Sequence, residues 1–168
     1  RISRETLVER ALGLAGARRP VEGSDPLSRR LVRDVMTTAL KAPRAGDTVV
    51  AAARAAAGTR HEQYPVVDEA GLLVGILFAR DLDAAILEGR HEATAGSLAL
   101  PPVLLLTPDA TLSEAALRLA RAGETRAAVV ESVVSPRLVG FLSSSDLIRA
   151  RLHVHEEEEK GPSMADLG

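Results

Sequence analysis

The sequence contains two related segments, and this internal duplication constrains the fold more than any other feature. Residues 40–86 recur in degraded form at residues 103–151. Residues 48–54 align with 111–117, and at the same offset the segment Tyr64-Pro-Val-Val-Asp68 aligns with 127–131. A period of about 60 residues is longer than that of most solenoid repeats. We therefore expect two halves of one module, related by a pseudo-two-fold axis, with ligand clefts between them.

A third matching segment follows in each repeat, after a short stretch that differs in length. Residues 73–82 align with 138–147, and the second repeat has two extra residues just before this segment. The extra residues lie where the pattern predicts a hairpin turn, and hairpin turns tolerate insertions. The length difference therefore supports the predicted hairpin.

Each repeat has the same predicted order of elements, β-α-β-β-α, which indicates an α/β (α+β) fold. Thr48 and Thr111 are suitable N-caps for the first helix of each repeat, and Gly58 and Gly123 are suitable C-terminal residues. The Val- and Leu-rich segments after these helices predict hairpins. The predicted elements are strands at 40–42 and 103–106, helices at 48–57 and 111–122, hairpin strands at 64–68 with 72–77 and at 126–131 with 137–142, and final helices from about 79 and 143.

We divide the chain into four segments. Residues 1–30 are expected to form an N-terminal helix, at 3–16, and a linker rich in Pro, Gly, Ser and Asp. Residues 31–92 and 93–155 are the two repeats, and the acidic segment 156–168 is expected to be a disordered tail. Because the chain begins at Arg1, we also expect it to be a fragment, which leaves room for a further domain before it.

Composition and charge exclude several classes of function. The sequence has no cysteine, which excludes a thiolate nucleophile, disulfides and a Cys-based zinc site. The net charge is −2 without a basic stripe, so we expect no nucleic-acid partner. The four histidines form no metal-binding or catalytic pattern, and we find no nucleophile beside a base. We therefore expect no metal site, no catalytic cofactor and no enzyme activity.

The element order, the Pro-Val-Val-Asp strand and the strand-to-helix turn Gly-apolar-apolar-Ser-x-x-Asp together resemble the CBS domain. Two such repeats in tandem resemble a Bateman module, and the resemblance covers residues 31–152. It implies an adenine nucleotide, AMP, ADP or ATP, as a regulatory ligand bound between the repeats. We name the two turns by their residues: turn 1 is Gly75–Asp81 and turn 2 is Gly140–Asp146.

Turn 2 matches the family pattern fully, and the resemblance assigns phosphate to Ser143 and ribose to Asp146. The start of a helix suits phosphate, and a carboxylate can accept hydrogen bonds from both ribose hydroxyls. The alternative is that Ser143 or Ser145 only caps the last helix. Turn 1 departs from the pattern, because Phe78 replaces the Ser/Thr although Asp81 remains. We therefore expect two unequal clefts, with the better site at Asp146.

The resemblance also implies that the adenine contacts residues just before the Pro-Val-Val strand. His61 lies where some relatives carry a stacking aromatic residue, and Tyr64 and Pro65 follow it. The alternatives are that His61 is an exposed loop residue and that Tyr64 points into the core.

The wider context resembles the cytosolic C-terminal part of chloride channels and transporters of the CLC family. The segments 3–10 and 13–19 and the sequence Ala79-Arg-Asp-Leu82 carry this resemblance. It implies a regulatory module on the cytoplasmic face of a membrane, attached to a transmembrane chloride channel or transporter. We expect a homodimer because the helix faces at 51–57 and 117–120 are rich in Ala and Leu. The fragment itself is expected to be soluble, since no apolar run in it approaches 18 residues. The alternatives are a structural dimerisation module without nucleotide and a CBS pair of another transporter or enzyme.

Overall fold

The structure is a computed structural model, and it describes residues 25–58 and 61–160. Within these residues it contains five α-helices, five β-strands and two 3-10 turns. The helices are α1 (Val49–Ala56), α2 (Ala79–Leu87), α3 (Ala95–Leu98), α4 (Leu112–Ala122) and α5 (Ser144–Lys160). The strands are β1 (Gln63–Val67), β2 (Leu73–Phe78), β3 (Leu105–Leu106), β4 (Arg126–Val130) and β5 (Leu138–Ser143), and the 3-10 turns are Pro26–Arg29 and Val32–Asp34. The mixed α/β fold predicted from the sequence is confirmed.

Three predicted features differ from the structure. The strand expected at 40–42 does not form; instead Arg44 makes an isolated parallel bridge to Val67. The final helix α5 continues through Lys160, so residues 156–160 are helical and do not belong to a disordered tail. The 3-10 turn Pro26–Arg29 lies in the predicted linker, where Asp25 caps it by accepting from the N–H of Leu27. The helix expected at 3–16 lies outside the described residues.

The predicted helix ends are confirmed at residue level. The hydroxyl of Thr48 accepts from the N–H of Ala51 at 3.2 Å, and that of Thr111 accepts from the N–H of Glu114 at 3.1 Å. A threonine at the N-cap satisfies one of the otherwise unpaired N–H groups of the first turn. At the other end of α4, Gly123 has φ +65° and ψ 21°, the left-handed conformation that glycine adopts most easily.

The strands form two small sheets, β1-β2 and β3-β4-β5, among the described residues. β1 and β2 pair antiparallel, with Tyr64 opposite Leu77 and an irregularity between Val66 and Val67. β3 pairs parallel to β4. The outer edge of β2 is also used, because Ile76 exchanges two backbone hydrogen bonds, of 2.8 and 2.9 Å, with Leu100.

This pairing explains why turn 1 begins with a glycine. A Cβ on Gly75 would lie 2.7 Å from the carbonyl oxygen of Leu100 and 3.0 Å from the Cβ of Ala99. Real Cβ atoms do not approach a backbone oxygen so closely, so a side chain at Gly75 would force the segment at Leu100 away from β2. The glycine therefore allows the segment around Leu100 to pair with the sheet.

The chain divides into two compact units that do not coincide with the two repeats. The first unit contains residues 37–107 and 127–141, and its core holds two apolar clusters, one around Tyr64 and one that joins Ile76 to Ala128 and Val130. The second unit contains, of the described residues, 25–36, 108–126 and 142–160. In the second unit α4 and α5 pack on each other and on the 3-10 turn Pro26–Arg29. Leu27, Leu112, Leu119 and Leu147 are fully or almost fully buried there.

Among the described helices, none is both long enough and apolar enough to cross a lipid bilayer.

Candidate functional site

Both strand-to-helix turns have the same backbone connection at the start of the helix. In turn 2 the N–H of Ser144, the first residue of α5, donates to the carbonyl of Thr125 at 2.8 Å. In turn 1 the N–H of Ala79, the first residue of α2, donates to the carbonyl of Glu62 at 2.9 Å. Glu62 and Thr125 occupy equivalent positions, each immediately before the first strand of its hairpin. The duplication is thus preserved at the level of individual hydrogen bonds.

Ser143 and Asp146 of turn 2 bind each other reciprocally. The N–H and the hydroxyl of Ser143 both donate to Oδ2 of Asp146, at 2.8 and 2.7 Å. The N–H of Asp146 lies 3.2 Å from the hydroxyl oxygen of Ser143, which accepts from it. This is the arrangement of a capping box, with a shorter acid in place of Glu. The alternative role, helix capping by Ser143, is therefore present in the structure.

The Asp146 carboxylate is the one buried charged group among residues 25–58 and 61–156. The residue is 8% exposed, and its second oxygen, Oδ1, pairs with the guanidinium of Arg149 one turn along α5. The Arg149 side chain is 69% exposed, so the carboxylate is covered on one side by a flexible, hydrated group. A buried charge is stable only when it is hydrogen-bonded, and Ser143 and Arg149 provide those bonds.

Only part of the start of α5 remains for an anion. The N–H groups of Ser144 and Asp146 already have partners, the Thr125 carbonyl and the Ser143 hydroxyl. A phosphate at this helix end would therefore use the N–H of Ser145, and the Ser143 hydroxyl after it rotates away from Asp146. Such a helix end favours negative charge because its N–H dipoles point toward the ligand.

Turn 1 has a different set of contacts around Asp81. Phe78 occupies the N-cap of α2, and the guanidinium carbon of Arg80 lies 4.7 Å from the centre of the Phe78 ring. Arg80 Nε is also 3.7 Å from Oδ1 of Asp81, whose side chain is 38% exposed. The Asp81 carboxylate is therefore more hydrated than that of Asp146. The Arg80 side chain rests on the Phe78 ring and is 76% exposed.

The three candidate base-contacting residues lie at the start of β1. His61 is exposed, and its ring centre is 6.2 Å from that of Tyr64, edge to face. Tyr64 is 4% exposed and belongs to the core cluster of the first unit. Pro65 is buried and lies opposite Ile76 in the hairpin. The expectation that Tyr64 is a core residue is confirmed, which leaves His61 as the accessible ring of the three.

The structure thus brings the candidate residues together in three groups. Ser143 and Asp146 form one group in the second unit. The first unit holds the other two groups, His61 with Tyr64 and Pro65, and Asp81 with Phe78 and Arg80. Sequence reasoning missed Arg149, although its spacing of three residues from Asp146 on a predicted helix indicates such a pair.

No cluster of three or more His, Cys, Asp or Glu side chains suitable for a metal ion occurs in the part of the chain that the structure describes.

Comparison with known families identifies both repeats. The model of the CBS domain matches residues 32–88 and again residues 95–153. The chain belongs to the CBS domain family. Its two CBS repeats are in tandem, as the duplication predicted. No curated protein matches the sequence of this CBS pair.

Solved structures with the same fold include several CBS proteins. An uncharacterized conserved protein from Pyrococcus horikoshii is 21% identical with a TM-score of 0.66; the alignment covers 89% of this chain and 62% of that one. The structure of CBSX2 in complex with AMP is 24% identical with a TM-score of 0.64, covering 75% of this chain and 98% of that one. The CBS domain of a bacterial CNNM/CorC family Mg²⁺ transporter in complex with ATP is 22% identical with a TM-score of 0.65, covering 75% and 89%. These likenesses establish the tandem CBS fold.

Proposed function

We propose that this CBS pair is a regulatory module that binds an adenine nucleotide, with turn 2 as the better site. Asp146 accepts hydrogen bonds from the ribose hydroxyls, and Ser143 donates to a phosphate. Membership of the CBS family supports this proposal, as do the structural relatives that were solved with AMP and with ATP. The module acts by binding and carries out no chemical reaction.

The observation that carries the proposal is the buried carboxylate of turn 2. Asp146 is 8% exposed and is held in place by the backbone N–H of Ser143. A carboxylate that is fixed and poorly hydrated gives stronger and more selective hydrogen bonds than one exposed to water. Asp81 in turn 1 is less buried and lacks a serine neighbour, which supports a weaker second site.

Independently of turn 2, we propose that His61 in the first unit can stack on an adenine. Its imidazole is exposed and lies edge to face with the buried Tyr64. Aromatic rings stack on any base through its π-face. Tyr64 and Pro65 are buried in β1 and would support the segment that carries His61.

We further propose that the parent protein is a chloride channel or transporter of the CLC family, with this module on the cytoplasmic face of the membrane. The sequence Ala79-Arg-Asp-Leu82 at the start of α2 and the Phe78 in place of Ser/Thr support this assignment. Nucleotide binding would bias the gate by its differential affinity for two arrangements of the module, typically by about 1–3 kcal/mol.

The test is a calorimetric titration of the chain with AMP, ADP and ATP, repeated on Asp146→Asn and on the matched variant Asp81→Asn. We expect Asp146→Asn to weaken binding by about 1.5–3 kcal/mol, the scale of hydrogen bonds to a charged group. Asp81→Asn should have a much smaller effect. Equal losses, or a larger loss at Asp81, would contradict the assignment of the better site to turn 2.

A second candidate function is structural dimerisation without nucleotide. The observation that favours it is that Ser143 and Asp146 already satisfy each other as a helix cap. Exposed alanines on α1, together with Leu117 on α4, which is 40% exposed, supply apolar helix surface for a homodimer. Sedimentation at micromolar concentration measures the mass. A dimer that binds none of the three nucleotides would favour this second function.

A further inference from the structure

The Asp146 carboxylate must free an acceptor position before both hydroxyls of a ribose can bind to it. A carboxylate has about four acceptor positions on its two oxygens. Here Oδ2 accepts twice, from the N–H and the hydroxyl of Ser143, and Oδ1 pairs with Arg149. A ribose presents two adjacent hydroxyl donors. At least one existing partner of the carboxylate therefore has to leave when both hydroxyls bind.

The three present partners differ in how easily they move. The N–H of Ser143 belongs to the backbone at the strand-to-helix junction, and it is fixed by the neighbouring bond from Ser144 to Thr125. The side chain of Arg149 is 69% exposed, so water can hydrate its guanidinium when it moves away from Asp146. The Ser143 hydroxyl turns toward a phosphate only when the ligand carries one, and otherwise it stays on Oδ2. When a ribose binds without a phosphate, as in adenosine, Arg149 is therefore the partner that leaves, and the ribose hydroxyls replace it at the buried carboxylate.

We infer that Arg149 competes with the ribose for Asp146, so that this ion pair lowers the affinity for nucleotide at turn 2. The inference rests on the proposed function, because it takes Asp146 as the ribose acceptor. Without nucleotide, Arg149 compensates the buried charge. When a ribose binds while the Ser143 hydroxyl remains on Oδ2, Arg149 moves into solvent and the diol takes Oδ1. Affinity at this site is lower than the geometry of Asp146 alone would allow.

The test uses Arg149→Met, which keeps the aliphatic length of the side chain and removes the guanidinium. The matched control is Arg121→Met, which removes the same charge from an exposed position on α4. Adenosine, 2′-deoxyadenosine and AMP are titrated into wild type and both variants. Because adenosine has no phosphate, its affinity reports the ribose and base contacts without the general attraction of arginines for an anion.

We expect Arg149→Met to bind adenosine about two- to fivefold more tightly than wild type, the scale of releasing a partly exposed ion pair. Arg121→Met should leave adenosine affinity unchanged. The gain should be smaller for 2′-deoxyadenosine, which offers one hydroxyl fewer to Asp146. Arg149→Lys, which keeps the charge and loses the planar fork, should lie between wild type and Arg149→Met, and it provides the same comparison if Arg149→Met folds poorly.

The possible failures are distinguishable. If wild type binds adenosine or AMP and Arg149→Met binds adenosine equally or less tightly, competition between Arg149 and the ribose is refuted and the proposed function stands. If Arg149→Met weakens AMP alone, Arg149 is a phosphate contact and the competition is again refuted. If neither wild type nor the variants bind any of the three ligands, and wild type also binds neither ADP nor ATP, the proposed function itself is overturned.

Discussion

Replacing Asp146 by alanine should destabilise the chain without any nucleotide, because the side chain holds the start of α5. The variant leaves the half-buried N–H of Ser143 without its 2.8 Å acceptor, which costs about 1–3 kcal/mol. It also removes a negative charge from the first turn of the helix, which contributes about 0.3–1 kcal/mol. The ion pair with the exposed Arg149 adds little. We expect a loss of about 2–3 kcal/mol in the free energy of unfolding.

Asp81→Ala is the matched comparison at the equivalent position of the first repeat. The Asp81 side chain is 38% exposed and lies 3.7 Å from the exposed Arg80, so its ion pair is screened by water. Asp81→Ala should lower the free energy of unfolding by about 0.5 kcal/mol, chiefly because it removes a negative charge from the start of α2. The two equivalent aspartates should therefore differ by about 2 kcal/mol in their effect on stability.

Urea unfolding followed by circular dichroism measures both variants. With a slope of about 2 kcal/mol per molar urea, the midpoint of Asp146→Ala should lie about 1 M below that of Asp81→Ala. Ser143→Ala combined with Asp146→Ala should lose less than the sum of the single variants, because the two residues bind each other. Equal midpoints for the two aspartate variants would refute the structural argument, whatever the nucleotide titrations show.

Two further predictions concern turn 1. Gly75→Ala should lower the free energy of unfolding by about 1–3 kcal/mol, because the new Cβ would lie 2.7 Å from the backbone oxygen of Leu100, which cannot rotate away. The control is Gly46→Ala, where a Cβ would meet no atom within 4 Å, and it should change the free energy of unfolding by no more than about 0.5 kcal/mol in the same urea assay. Phe78→Thr supplies the missing hydroxyl at the N-cap of α2, and calorimetry at high ligand should show the stoichiometry rising toward two nucleotides per chain; an unchanged stoichiometry would show that the ring is not the obstacle.

Local sequence patterns predicted the elements of this chain well. The threonine caps, the glycine after α4, both hairpins and the starts of α2 and α5 depend on a few neighbouring residues, and all lie within two residues of their predicted positions. The duplication strengthened each prediction, because a pattern that occurs twice at matching positions rarely arises by chance. The family match to both repeats has the same origin.

The features that the sequence did not predict depend on contacts between distant segments. The strand expected at 40–42 is replaced by a bridge between Arg44 and Val67, and register of this kind is set by tertiary packing. The pairing of Leu100 with β2 is also non-local, although Gly75 marks it in hindsight. Arg149 was missed for a different reason. Its pairing with Asp146 is local, but an arginine on an exposed helix face usually carries no specific role.

The unequal burial of Asp81 and Asp146 follows chiefly from the residue at the N-cap of two turns with the same backbone connection. Both helices begin with an N–H bonded to the residue before the hairpin, and both carry an aspartate at the third helical position. At turn 2 the serine at the N-cap draws the aspartate inward, and the carboxylate is 8% exposed. Phe78 has no polar atom to hold Asp81, and its ring attracts Arg80 instead. The residue at the N-cap therefore decides whether the aspartate becomes a buried acceptor or a hydrated surface charge.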